Sequence, residues 1–67
     1  MIWEPRGTDR TGAETWVGVT MGRTFCITKH PTVGIRLWRM EGTERELMSV
    51  GFTSVEGAKA YVDRVTA

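Results

Sequence analysis

Apolar and polar residues alternate in short stretches between residues 15 and 40 of this chain, and the pattern later switches to a helical period. Residues 15–20 alternate and are rich in β-formers, as are residues 24–28 and 35–40. Between them lie short breaks: Met21-Gly22-Arg23 is a tight connection, Pro31 removes a ladder donor after His30, and Glu41-Gly42-Thr43 is a turn. Residues 44–50 permit a helix by composition. They are short and lie between turns, so Leu47-Met48-Ser49-Val50 running into Gly51-Phe52 reads as a fourth strand. From Val55 the spacing changes. Val55, Ala58, Val62 and Val65 recur three and four apart, which places them on one face of a helix. Ser54 is placed to cap its free N–H groups, and Glu56 puts negative charge near the positive end of the dipole. The expected fold is α+β: a small antiparallel sheet of three to four strands, then one helix lying on it (ββββα). Residues 15–67 form this single domain. Residues 1–14 are an arm, with Ile2 and Trp3 tucking in or forming a short edge strand, and a mobile loop over residues 6–12.

Strand parity makes the first functional expectation. Side chains on a strand alternate between faces. If Val17, Val19, Phe25, Ile27, Ile35, Leu37, Met48 and Val50 face the helix, the other face carries Trp16, Thr20, Cys26, Thr28, Arg36, Trp38, Met40 and Leu47. One helix covers one side only. The expected binding face is therefore Trp16, Arg36, Trp38, Met40 and Leu47, because Trp and Arg are enriched at binding hot spots. Two arrangements compete with this. A bulge at Gly18 or Gly22 would turn Trp16 inward, and the N-terminal arm would cover the face by folding over it.

Composition narrows the classes. Only 67 residues are available, enough for one small core and marginal stability, so self-association or docking on a larger partner is a natural aid. Nine basic against eight acidic residues give a net charge of +1, which lacks the overall footprint of a strongly electrostatic nucleic-acid binder. A local patch remains open. Arg23, Lys29, Arg36, Arg39 and Arg45 fall on or beside the strands with tryptophans interleaved, a set suited to a groove or to stacked bases. The competing assignment pairs these arginines across strands with Glu41, Glu44 and Glu46.

Catalytic and cofactor chemistry find no set. Cys26 and His30 are four residues apart, more than roughly 10 Å on an extended backbone, too far for a nucleophile and its base. No phosphate loop, small-molecule site or metal-ligand spacing stands out, so no enzyme, cofactor or metal is expected. The start of the chain lacks a signal-peptide pattern and no run reaches membrane-spanning length. The lone cysteine suits a reducing compartment, so a cytoplasmic protein is expected.

The tail Gly51-Phe52-Thr53-Ser54-Val55-Glu56-Gly57-Ala58, followed by Tyr61, resembles the end of many small sheet-plus-helix modules. AP2-type DNA-binding domains, the arm-binding domains of phage-type integrases and small phage-encoded proteins are similar in this respect. The AP2 resemblance implies DNA contacts from Arg36 and Trp38. By size and character the chain also resembles phage antidefence proteins and inhibitors of host enzymes. The leading expectation is a non-enzymatic protein-binding module acting on a larger partner or as a homodimer. The alternative is a small DNA-binding protein.

Overall fold

The computed structural model describes residues 2–66. Five strands precede one helix: β1 (Trp3–Thr8), β2 (Glu14–Thr20), β3 (Arg23–His30), β4 (Gly34–Glu41), β5 (Glu44–Phe52) and α1 (Val55–Val65). The strands form one antiparallel sheet in the order β1-β2-β3-β4-β5, a simple meander. The α+β class is as the alternation implies, with one strand more than the expected three to four. The extra strand is β1. Of the residues expected in a loop, Gly7 and Thr8 pair with Thr15 and Glu14 of β2 instead, and Arg6 is passed over at a register shift between Pro5 and Gly7. Gly-flanked polar composition concealed this strand, because an edge strand does not need an apolar face.

Helix α1 begins where expected. Ser54 has extended dihedrals (φ −153°, ψ 156°), and its Oγ accepts from the Gly57 N–H at 3.0 Å. At the other end the Thr66 N–H and hydroxyl both donate to the Val62 carbonyl. The helix packs on β3, β4 and β5. Ala58 and Val62 are fully buried against Phe25, Ile27, Ile35 and Leu37, and Val55, Tyr61 and Phe52 complete the contact. Full burial of each large side chain contributes about 1.5–3 kcal/mol. Val65 is 47% exposed and lies outside this core, whereas Tyr61 packs against it, its ring 5.6 Å from that of Phe52.

The helix is narrower than the sheet. Four strand spacings span about 19 Å, against a helix diameter of about 10–12 Å. Two tryptophans fill what the helix leaves bare. Trp16 pairs with Ile27, and Trp3 pairs with Gly18, whose other neighbour is Phe25. Directly paired residues share a face, so both tryptophans lie on the helix side, packed against the core. Trp16 was expected on the opposite face.

The cause is a single residue of loop length. The β2–β3 turn consists of Met21 and Gly22 alone, and Thr20 pairs with Arg23. Counting Arg23 into the turn shifts the register by one and exchanges the faces of β2. Val17 and Val19, expected in the core, lie on the open side opposite Cys26 and Thr24. No bulge interrupts β2–β3; the turn alone turns Trp16 inward. Bulges do act in β5. Register shifts between Ile35 and Arg36 and between Leu37 and Trp38 put Val50 opposite Arg36 and leave Met48 without a direct partner. Val50 and Met48, both expected to face the helix, are 59% and 41% exposed.

Candidate interaction surface

Among the described residues no strand or helix covers the second face of the sheet. It carries Val17 and Val19 from β2, Thr24, Cys26 and Thr28 from β3, Arg36, Trp38 and Met40 from β4, and Arg45, Leu47 and Val50 from β5. Of the expected binding residues, Arg36, Trp38, Met40 and Leu47 are together here, and Trp16 is not. Sequence parity missed Val17, Val19 and Val50; the two-residue turn was the signal that would have found the first two. Val19, Leu47 and Val50 are 60%, 46% and 59% exposed, so the face is apolar as well as open.

Trp38 sits in the middle of this surface and is held from two sides. Its indole N–H donates to Thr28 Oγ1 at 3.0 Å. The Arg45 guanidinium carbon lies 4.3 Å from its ring centroid, a cation–π contact. Arg45 also approaches the Cys26 thiol, but burial outweighs that charge and pushes the thiol above its ordinary pKa. Cys26 is a buried free cysteine of the sheet, and the raised pKa favours its protonated form.

The β1–β2 loop walls one end of the face. Asp9 Oδ1 accepts from the Thr11 N–H at 2.8 Å, the Thr11 hydroxyl at 2.6 Å and the Ala13 N–H at 3.1 Å. These bonds, led by the Thr11 hydroxyl, hold the carboxyl below its ordinary pKa, and Arg45 adds to the effect. His30 ties the loop to the sheet. Its Nδ1 faces the N–H groups of Thr32 and Val33 and therefore accepts, leaving Nε2–H to donate to the Thr11 carbonyl at 2.8 Å. His30 is thus a loop anchor, engaged at both ring nitrogens.

Loop and sheet together enclose a shallow concavity of about 260 Å³. Thr28, His30, Arg36, Trp38 and Arg45 line it from the strands, and Asp9, Thr11, Ala13 and Val33 from the loops. Among the described residues the ion pairs within 4.0 Å are Arg6–Glu4, Arg39–Glu46 and Lys59–Glu56. Arg36 and Arg45 take part in none of them.

The five cations of the nucleic-acid set do not converge. Arg39 pairs with Glu46 at 2.9 Å on the helix side, the one cross-strand pair of the expected kind. Arg23 borders a hollow with Val65 and Thr66 at the end of α1. Lys29 is exposed, in register with Glu14 and Ile35 on the helix side. Only Arg36 and Arg45 share the open face. Parity decides this, since Arg23, Lys29 and Arg39 occupy the strand positions in phase with Phe25, Ile27 and Leu37.

No family model, curated protein or solved structure matches this chain. Among the described residues no three His, Cys, Asp or Glu side chains cluster as metal ligands, and no helix is long and apolar enough to cross a membrane.

Proposed function

We propose that this chain is a non-enzymatic protein-binding module that presents the open face of its sheet to a larger protein or to a second copy of itself. The observation that carries this reading is Trp38, pinned by Thr28 and Arg45 at the centre of an uncovered surface and framed by Met40, Leu47 and Val50. A rigid aromatic flanked by arginine and ringed by exposed apolar side chains has the make-up of a binding hot spot. The implied mode of action is surface blocking, as in an antidefence protein or host-enzyme inhibitor. A buried free thiol accords with a cytoplasmic setting.

The test combines light scattering with affinity capture from the native host, using the native chain and a Trp38→Ala, Arg36→Ala variant. The expected result is that the variant loses self-association, or loses a protein retained by the native chain, while remaining folded. Unchanged assembly and unchanged capture overturn the reading.

Arg36, Arg45 and Trp38 on one face also favour a second reading, a small DNA-binding protein. It requires duplex binding that weakens steeply with salt. With three of the five cations on the other side of the sheet, it is the weaker of the two.

A further inference from the structure

Among the described residues, two guanidinium groups outside every ion pair within 4.0 Å border one concavity, and that concavity has a defined chemistry. Arg36 and Arg45 stand on neighbouring strands, diagonally placed around the Trp38–Leu47 pair, and both line the hollow of about 260 Å³ closed by the β1–β2 loop. Each part of the site is held. Arg45 lies over the Trp38 ring at 4.3 Å, Trp38 is fixed by Thr28, and the loop is fixed by Asp9 and His30. Such preorganisation reduces the entropy lost when a ligand is gripped.

We propose that this hollow is a carboxylate-recognition site: Arg36 and Arg45 hold one acidic side chain of a partner protein, and the Trp38 ring with Val33 receives the apolar residue beside it. This deepens the protein-binding reading and rests on it, since it names the chemistry of the partner segment.

Charge selects the occupant. Arg36 and Arg45 bring two positive charges, and Asp9, which also lines the hollow, returns one negative charge. Asp9 stays ionised, because its hydrogen bonds favour the charged form. The hollow therefore carries one net positive charge, which suits a monoanion. A phosphate dianion would leave an excess negative charge beside Asp9. Guanidinium groups form charge-assisted, often bidentate hydrogen bonds to carboxylates. Val33 supplies the apolar share of the wall, presenting a methyl surface that is 54% exposed. A nucleic-acid backbone would need a longer basic track than these two arginines provide.

The test is an NMR titration of the full chain, following its amide and indole N–H signals. The probes are terminally blocked pentapeptides with one central glutamate or glutamine between leucines. A third peptide, without glutamate, has a free C-terminal carboxylate; inorganic phosphate and a short DNA duplex complete the set. The glutamate peptide is expected to shift the Trp38 indole signal and the amides around Arg36 and Arg45, and to bind at least about tenfold tighter than its glutamine counterpart. Arg36→Gln and Arg45→Gln should each remove that discrimination, whereas Arg39→Gln, on the helix side, should keep it. Dispersed amide spectra report that each variant is folded.

Equal binding of the glutamine peptide, or retained discrimination in Arg36→Gln and Arg45→Gln, overturns the proposal. So does tighter binding of the C-terminal carboxylate, of phosphate or of the duplex at this site. If the peptide test fails while Trp38→Ala still abolishes assembly or capture, only the carboxylate assignment falls. If the glutamate peptide binds while assembly and capture ignore Trp38→Ala, the site stands and the broader reading falls.

Discussion

The indole N–H of Trp38 donates to the hydroxyl of Thr28 across the β3–β4 pair at 3.0 Å. Thr28 is 5% exposed and Trp38 is half-buried, so this bond fixes a large side chain on an otherwise uncovered face. Replacing Thr28 by valine keeps the shape and removes the acceptor. The Thr28→Val variant should lose about 1 kcal/mol, and its Tm should fall by roughly 4–8 °C for a domain of this size. Thermal unfolding followed by circular dichroism measures this, and an unchanged Tm would show that the hydroxyl does not hold the ring.

Trp16 and Trp38 differ in face and should differ in role. Trp16 fills the part of the helix-side surface that α1 does not reach. Trp16→Ala should destabilise by about 2–4 kcal/mol, near the lower end of large-to-small core changes because the residue is only half-buried. Trp38→Ala should change stability less and binding more. Urea midpoints for both variants, read beside their assembly or partner capture, separate the two. A Trp16→Ala variant that stays as stable as the native chain would contradict the packing described above.

The Met21-Gly22 turn is under local strain. Both residues have positive φ, 50° and 77°, the signature of a type I′ hairpin turn. Met21 is the one described non-glycine residue in that region, and it is 89% exposed. Asparagine adopts such a conformation more readily. Met21→Asn should therefore stabilise the domain by about 0.5–1 kcal/mol, seen as a higher urea midpoint with an unchanged m-value. Destabilisation would indicate that the methionine side chain makes contacts worth more than the turn preference.

Asp9 should make stability depend on pH in the acid range. Its pKa is lowered on folding by the Thr11 hydroxyl and the Ala13 and Thr11 N–H groups. Between the folded and unfolded values the unfolded chain binds more protons, so stability rises with pH there. The contribution is complete above the ordinary carboxylate value of about 4 and is lost as pH falls through the lower folded value. The difference in urea midpoint between the native chain and Asp9→Asn should thus be constant above about pH 5 and shrink on further acidification. A difference that does not vary with pH would show that the loop bonds do not favour the carboxylate.

Much of the architecture was legible in local chemistry. Alternation named β2, β3 and β4, and Phe25, Ile27, Ile35 and Leu37 lie on the helix side as their parity implies. The cap at Ser54 and the spacing of Val55, Ala58 and Val62 located the helix, because both depend on residues within a turn or two of one another. Of the open face, Arg36, Trp38, Met40 and Leu47 were readable by the same rule. Other features depended on what lies beside each strand. β1 has little apolar pattern of its own and is a strand because β2 offers it an edge. The orientation of β2 turned on whether Arg23 belongs to the turn or the ladder, and a one-residue difference there exchanges Trp16 for Val17. The bulges of β5 moved Val50 to the open side.

The sequence by itself determined which segments extend, where the helix starts, and that one helix must lie on a sheet. Periodicity and capping are local, so they can be read along the chain. Only the tertiary structure decided how the faces are composed: that Trp16 belongs to the core, that three of five cations leave the open side, and that the β1–β2 loop walls the hollow around Trp38. Those outcomes follow from register and from loop closure, in which one hydrogen-bonded pair between distant residues sets the face of every side chain in the strand.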